Sequence, residues 1–256
     1  MKQTHSNNWD KITSPARPSV SDINSFKSLI PAGSILLLGV TPEIANAYDN
    51  VLAVDRDPKM IENIWPGDTD TKQAINSNWE TFILGKKFNG IIGDCAMTLV
   101  ADKKRITSFN QKAFDMLEPG GTVAHRIFHK PKDIVTREHL IDILSKPATI
   151  NFNAFKWVMF MYYAEAVHNK FKVTSILKLF NEICPSRELA SEATGWTMAQ
   201  INSIDIYEHS DWELIVLSKK EWLETIPKGA TNVKFTYQDD YDLAELCPVL
   251  SFSKNV

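Results

Sequence analysis

The sequence predicts an α/β fold with a doubly wound, mostly parallel sheet. Two short apolar runs, Ile35–Leu38 and Val51–Val54, are typical of strands buried on both faces of a parallel sheet. Strand-like and helix-like segments then alternate through the first half of the chain. With 256 residues, the chain can bury one sizeable core, so we expect a single domain over residues 1–256.

Composition and charge exclude several classes of partner. The net charge is −3 and there is no run of basic residues, which argues against binding to nucleic acid. No apolar stretch approaches the roughly 20 residues that span a bilayer, and the polar start has no signal-peptide core. Three widely separated cysteines predict free thiols rather than disulfides or a metal site. We therefore predict a cytoplasmic protein with no membrane partner; the oligomeric state is left open.

The elements of the first half follow from local patterns. Asp57 is a suitable helix cap and Pro58 a suitable first helical residue, and Ser21 followed by Asp22 can cap an earlier helix. Glu118–Gly121 is predicted to form a tight turn after an amphipathic helix. The other predicted strands and helices of this half are AINSNW, FNGIIGDC and TVAHRIF as strands, and PEIANAY and RITSFNQKAFDML as helices.

The second half of the chain shows mainly helical patterns rather than an alternation of strands and helices. Helical patterns dominate from Thr136 to Ser145 and from Phe152 to about Asn181, which predicts a helical insertion. The segments SIDIYEH and WELIVLS, within 203–218, are predicted to form an antiparallel strand pair. The expected organisation is an N-terminal lid (1–31), a cofactor-binding half (33–130), a helical substrate-side insertion (131–202), and a C-terminal strand pair and tail (203–256).

Four landmarks in order resemble the class I S-adenosylmethionine-dependent methyltransferases. They are the turn ILLLGVTPEIA, the strand end VLAVDRDPKMI, the strand FNGIIGDC and the turn-strand MLEPGGTVAHRIF. The resemblance covers roughly residues 33–130. It implies a Rossmann-like, seven-stranded methyltransferase sheet, with the pair near 203–218 as sixth and seventh strands. It also implies S-adenosyl-L-methionine as cofactor.

The first turn departs from the family's glycine-rich motif. Only Gly39 is kept, while Thr41 and Glu43 occupy the later glycine positions. By the resemblance, Thr41 offers its amide and hydroxyl to the methionine end of the cofactor, and Glu43 bonds a backbone amide or the cofactor ammonium. The alternative is that the Glu43 carboxylate only stabilises the dipole of the helix in whose first turn it lies. A dinucleotide needs glycines at these positions for its pyrophosphate, so their loss favours adenosylmethionine.

The resemblance also assigns the adenosine end of the cofactor. Asp55, at the tip of the second strand, is the expected ligand of both ribose hydroxyls; the alternative is a helix cap, which Asp57 provides better. Arg56 either lies on the adenine ring or is a solvated surface arginine. Asn78 and Trp79 are expected beside the adenine, or form a turn next to a core tryptophan.

Asp94 ends the fourth strand, at the family position closest to the methyl donor. It is our candidate catalytic residue, because a carboxylate there can bind the methionine ammonium or orient or deprotonate a nucleophile. The alternative is a turn aspartate. Cys95 is placed in the cofactor site as a packing residue rather than a nucleophile. Arg126 lies in an apolar strand and needs an anion: Asp94, a substrate carboxylate or a structural salt bridge.

Further candidates lie outside the sheet. Trp9 and Arg17 belong to the predicted lid. Trp9 offers a flat apolar ring, and Arg17 offers the paired N–H donors of its guanidinium. Tyr162 and Glu165 share one face of the predicted insertion helix with Phe155. We predict that all four candidate side chains touch the acceptor. The alternatives are an N-terminal tail that only docks on the sheet edge, and a core stripe with Glu165 salt-bridged at its edge.

The predicted function is a methyltransferase that acts on a small-molecule acceptor, without a metal. A second possibility is a cofactor-binding or protein-interaction module on the same fold, because the first turn is degenerate. A third is an NAD(P)-dependent oxidoreductase. Fold alone does not decide among them.

Overall fold

A computed structural model describes residue 9 and residues 12–82, 85–167 and 169–256. Seven strands form one sheet in the order β3-β2-β1-β4-β5-β9-β8. These strands are β1 (Ser34–Leu38), β2 (Asn50–Asp55), β3 (Lys72–Asn76), β4 (Phe88–Asp94), β5 (Leu117–Arg126), β8 (Thr231–Thr236) and β9 (Val249–Ser253). Strands β1 to β5 are parallel, whereas β9 is antiparallel to both β5 and β8. The predicted α/β fold with a seven-stranded sheet is confirmed.

The centre of the sheet follows from its apolar runs. Strand β1 pairs with β2 on one side and β4 on the other, and Ile35–Leu38 are buried. Alternate residues pack on opposite faces: Leu36 belongs to the core cluster on one face, and Ile35 to the cluster on the other. Burial on both faces is why the sequence shows continuous apolar runs rather than alternation.

Helices connect the strands of the first half. They are α1 (Val20–Leu29), α2 (Pro42–Ala47), α3 (Pro58–Ile64), α4 (Ala96–Val100) and α5 (Lys103–Asp115). Asp57 caps α3 as predicted, since its carboxylate accepts a hydrogen bond from the amide of Lys59. The cap predicted for α1 is wrong: Ser19, not Ser21, begins the helix, and Asp22 completes a capping box with it.

The second half is mainly helical. Its helices are α6 (Arg137–Leu144), α7 (Phe152–Ala166), α8 (Val173–Ile183), α9 (Arg187–Thr194), α10 (Met198–Asn202) and α11 (Lys219–Leu223), with 3₁₀ helices at Ser203–Tyr207 and Ala244–Leu246. The long helix predicted from Phe152 to Asn181 is divided between α7 and α8. The chain turns at Asn169, whose φ of 79° lies in the left-handed region.

The predicted strand pair within 203–218 is wrong. Residues 203–207 form a 3₁₀ helix, because Ile204 packs into the core of the insertion instead of joining a sheet. Strand β7 (Glu213–Ile215) pairs with β6 (Lys170–Lys172) in a separate two-stranded sheet. The sixth and seventh strands of the main sheet are therefore β8 and β9. The predicted turn at 118–121 also differs, since these residues lie within β5.

Candidate functional site

A cavity of about 580 Å³ opens at the carboxyl ends of β1, β2 and β4. In open α/β sheets this edge is where ligands bind. The volume lies in the range of small-molecule sites. Its lining comes from the strand ends, from α3, α4 and residues 78–80, and from the N-terminal segment and the helical insertion. The predicted lid and insertion thus both contribute residues, among them Trp9, Ile12, Thr13, Ala16, Phe152, Lys156, Trp157 and Phe160.

The first turn faces this cavity. Gly39 has a φ of 95°, and its amide donates a hydrogen bond to the carbonyl of Val54, which ties the turn to β2. A Cβ on residue 39 would lie 3.8 Å from Oδ2 of Asp55. Thr41 precedes α2 but its side chain makes no capping hydrogen bond, so its hydroxyl is not used by the helix. Gly39 and Thr41 both line the cavity.

Glu43 and Arg17 lie outside the cavity lining and pair with each other. The Nε of Arg17 donates to Oε1 of Glu43. The Arg17 guanidinium also lies 5.2 Å from the ring centre of Trp9 and donates to that residue's carbonyl. Sequence reasoning assigned these two side chains to different ligands. The structure instead uses them to fasten the N-terminal segment to α2, and their contacts with cofactor or acceptor stay predictions.

Asp55 lies at the tip of β2 with its carboxylate buried in the cavity wall. Its Oδ1 accepts a hydrogen bond of 2.9 Å from the amide of Asp57. Since Asp57 caps α3, the alternative role of Asp55 as that helix's cap is not needed. Burial raises the pKa of Asp55 to about 6, because desolvation disfavours the charged form more than the neighbouring amides stabilise it.

The predicted adenine-side residues also reach the cavity. Arg56, Asn78 and Trp79 line it next to Asp55. The indole N–H of Trp79 donates to the carbonyl of Val54, so the ring is held against the end of β2. The side-chain oxygen of Asn78 accepts from the amide of Glu80, which is the turn geometry we considered as its alternative role. Contact of any of the three with an adenine ring stays a prediction.

Asp94 and Arg126 belong to a buried ionic network. The Nε of Arg126 lies 2.5 Å from Oδ1 of Asp94, and Nη1 lies 3.4 Å from Oδ2 of Asp22. Nη1 also donates to the carbonyl of Pro15 at 3.0 Å. Arg126 is fully buried and does not line the cavity, whereas Asp94 does. Of the three anion partners considered for Arg126, the structure contains Asp94, together with a structural salt bridge to Asp22.

Cys95 lines the cavity beside Asp94, with a φ of 53°. A hydrogen bond with Cys247 and burial raise the pKa of the Cys95 thiol. A protonated thiol is a poor nucleophile, which agrees with the packing role predicted for this residue.

Tyr162 and Glu165 lie away from the cavity. Phe155, on the same predicted face of α7, is fully buried in the core of the insertion, and Tyr162 packs against that core. Glu165 lies at the end of the helix, 2.5 Å from the ammonium of Lys130. This is the alternative arrangement, a core stripe with a salt bridge at its edge. Residues 152, 153, 156, 157 and 160 line the cavity instead.

Sequence reasoning missed Lys156. Its side chain lines the cavity from α7, although the residue is only 9% exposed. The Nζ atom lies 3.4 Å from Oγ of Ser203 and 5.7 Å and 6.0 Å from the ring centres of Phe152 and Tyr207. Burial lowers the pKa of Lys156 to about 8. The available signal was a lone lysine inside the apolar run FKWVMFMYY.

Within the described part of the chain, no group of three or more His, Cys, Asp and Glu side chains is arranged to hold a metal ion. Nor does this part contain a helix that is long and apolar enough to cross a membrane.

Comparisons with known proteins identify the fold. No protein-family model and no curated protein sequence matches the chain. The N-methyltransferase NodS from Bradyrhizobium japonicum WM9, in complex with S-adenosyl-L-homocysteine, matches with a TM-score of 0.51 and 10% identity, over 96% of this chain and 91% of that one. A putative Zn-dependent alcohol dehydrogenase from Rhodobacter sphaeroides matches with a TM-score of 0.60 and 12% identity, over 100% of both chains.

Identities this low establish the fold and nothing finer. The seven-stranded sheet with helices on both sides is the Rossmann-like fold of the class I S-adenosylmethionine-dependent methyltransferases. The resemblance deduced from the sequence is confirmed at this level. The fold is shared by proteins with other activities, so activity has to be argued from the cavity.

Proposed function

We propose that this protein is an S-adenosylmethionine-dependent methyltransferase that acts on a small molecule in the cytoplasm. The observation that carries the proposal is the adjacency of Gly39 and Asp55 in the wall of one cavity at the carboxyl edge of the sheet. A backbone approach without a Cβ and an acceptor carboxylate are what a ribose-containing cofactor requires there.

The residues present fit this cofactor. A Cβ on residue 39 would lie in van der Waals contact with Oδ2 of Asp55, so the glycine leaves that oxygen uncovered on this side. The Asp55 carboxylate would accept hydrogen bonds from the ribose hydroxyls, and Arg56 and Trp79 would flank the adenine. Thr41, with a hydroxyl that α2 does not use, would meet the methionine end. Adenosylmethionine has no phosphate and therefore does not need the missing glycines.

When bound, the cofactor supplies a methyl group on a sulfonium, open to in-line attack. The chain contributes alignment and exclusion of water. Asp94 lies at the cavity with Oδ1 fixed by Arg126, so its position is set before any ligand binds. We assign the Asp94 carboxylate as the hydrogen-bond acceptor that orients either the cofactor ammonium or the incoming nucleophile. The N-terminal segment and α7 both line the cavity, which supports a role for them in excluding water.

An oxidoreductase is the second candidate, supported by the fold shared with the alcohol dehydrogenase. Such an enzyme would place a pyrophosphate against the first turn. Thr41 and Glu43 stand where close backbone approach would require glycine, and Glu43 is already paired with Arg17. A negative side chain near a pyrophosphate is also unfavourable. These contacts favour adenosylmethionine over a dinucleotide.

Calorimetric titration separates the two candidates. We expect adenosylmethionine and adenosylhomocysteine to bind, and NAD⁺ and NADP⁺ to bind at least tenfold more weakly. Asp55→Ala should reduce adenosylhomocysteine affinity at least tenfold, since a hydrogen bond to a charged group is worth about 1.5–3 kcal/mol. Glu62→Gln, an exposed carboxylate on α3, is the matched control and should bind normally. Tighter binding of a dinucleotide would overturn the proposal.

Binding alone does not distinguish an enzyme from a cofactor-binding module. Transfer of a radiolabelled methyl group from adenosylmethionine to small molecules of a cell extract provides that distinction. Label in a small-molecule fraction, lost in Asp55→Ala, is the result we expect. Label only in protein would show methyl transfer but contradict a small-molecule acceptor, and no label in any fraction despite cofactor binding would favour the module.

A further inference from the structure

The proposed placement of the cofactor uses Thr41 and Asp94 at its methionine end and leaves one ammonium of the cavity, that of Lys156, unassigned. Lys156 lies in the second turn of α7, and among the residues that the structure describes its Nζ has one hydrogen-bond partner, Oγ of Ser203. At 3.4 Å, the contact is long for a hydrogen bond that an ammonium donates. An ammonium has three donors, so at least two are available to a ligand.

Lys156 has no carboxylate within 4 Å among the residues that the structure describes. A buried cation is costly unless it is paired, and in the described part of the chain two aromatic rings and one hydroxyl partly replace its hydration. Burial lowers the pKa of Lys156 to about 8, so the ammonium still predominates at neutral pH. The missing counter-ion points to an anion that arrives with a ligand.

Charge is divided unevenly between the two ends of the cavity. Every carboxylate in its lining comes from the sheet side: Asp55, Asp57, Glu80 and Asp94. The sheet side also supplies two arginines, Arg56 and Arg105. Among the lining residues that the structure describes, the insertion contributes one charged group, Lys156, together with neutral polar side chains and aromatic rings. Residues of this second kind are Asn153, Gln200, Asn202, Ser203, Trp157, Phe160, Tyr207 and Trp212.

We propose that Lys156 binds the carboxylate of the methyl acceptor, and that the acceptor is a small aromatic monocarboxylic acid. One ammonium with hydroxyl and amide neighbours balances a single negative charge, whereas a phosphate dianion would keep a surplus charge in a buried site. The aromatic walls suit a flat apolar body. That the acid is the methyl acceptor rests on the proposed methyltransferase function. That the acid binds at Lys156 does not depend on it.

The test compares matched acids and amides. Phenylacetate, cinnamate and salicylate, and the primary amide of each, are titrated into the full-length protein saturated with adenosylhomocysteine. We expect at least one acid to bind at least tenfold more tightly than its amide. Lys156→Met, which keeps an unbranched side chain of similar length but removes its charge, should abolish the preference for the acid. Lys156→Arg, which keeps the charge, should retain part of that preference. Lys178→Met, on the exposed side of α8, is the matched control and should keep the full preference.

The outcomes separate this inference from the proposed function. Equal affinity for acids and amides, or no binding of any of these probes, overturns the inference even where adenosylhomocysteine binds. An acid preference that survives in Lys156→Met also overturns it. If adenosylhomocysteine does not bind but the acid preference is present and depends on Lys156, the acid site is supported and the methyltransferase proposal fails. A normal melting temperature for Lys156→Met excludes misfolding as the reason for a lost preference.

Discussion

Asp55→Asn should make the protein more stable while it weakens cofactor binding. The pKa of the buried carboxyl is about 6 in the folded chain, against an ordinary value of 3.8. Between these values the folded state holds a proton that the unfolded state has released, so stability falls as pH rises through this window. At about 1.36 kcal/mol for each pKa unit, ionising Asp55 destabilises the fold at neutral pH by at most about 3 kcal/mol.

The asparagine is neutral at every pH and escapes this cost. Its side-chain oxygen can still accept the hydrogen bond from the amide of Asp57. We therefore expect the unfolding free energy of the variant to exceed that of the wild type by about 1–3 kcal/mol at neutral pH. The difference should shrink as pH falls through about 6 and vanish near the ordinary carboxyl pKa.

Urea unfolding of both proteins across this pH range measures the difference, and calorimetry with adenosylhomocysteine measures binding. Affinity should fall at least tenfold, equivalent to about 1.4 kcal/mol. Glu62→Gln, on the surface of α3, should change neither quantity. Equal stabilities of Asp55→Asn and wild type at every pH would refute the argument from burial, and undiminished affinity would refute the assignment of Asp55 to the ribose.

Three further predictions concern the cavity walls. Gly39→Ala should lower the unfolding free energy by about 1–2 kcal/mol because φ is 95°, and should also weaken adenosylhomocysteine binding, since the new Cβ points toward Asp55. Gly195→Ala, at φ 80° with nothing within 4 Å of its Cβ, should lower stability similarly but leave binding unchanged; equal binding in both variants would contradict this. Asp94→Asn should lower the unfolding free energy, measured in urea, by about 3 kcal/mol, because the buried Arg126 loses its charged partner. The same variant should slow methyl transfer more than it weakens cofactor binding; full activity would make Asp94 purely structural. Deletion of residues 1–17 should reduce methyl transfer far more than adenosylhomocysteine affinity, and an equal loss of both would argue against a lid.

The sheet core could be predicted from sequence because its signals are local. Ile35–Leu38 and Val51–Val54 are apolar runs of strand length, and Asp57 and Pro58 mark a helix start. The last two strands could not be placed correctly. The alternating isoleucines of SIDIYEH resemble a strand, but Ile204 is buried in the core of the insertion and the segment forms a 3₁₀ helix, and no local pattern records that packing.

The site could be predicted only where it depends on strand ends. Gly39, Asp55 and Asp94 reach the cavity because parallel strands end at one edge of the sheet. The pairing of Arg17 with Glu43 joins residues 26 positions apart and depends on how the N-terminal segment crosses α2. Lys156 was missed because a single lysine in a helix is usually at the surface, and only the packing of α7 over the cavity reveals it as buried.

A crystal structure of the protein with adenosylhomocysteine tests the central claim most directly. We expect the adenosine at the ends of β1 and β2, with its ribose hydroxyls within hydrogen-bond distance of the Asp55 carboxylate and its homocysteine portion extending past Thr41 toward Asp94. The sulfur should face the space below Lys156 and Trp157. Ligand density at any other part of the surface, or a ribose that makes no contact with Asp55, would contradict the account.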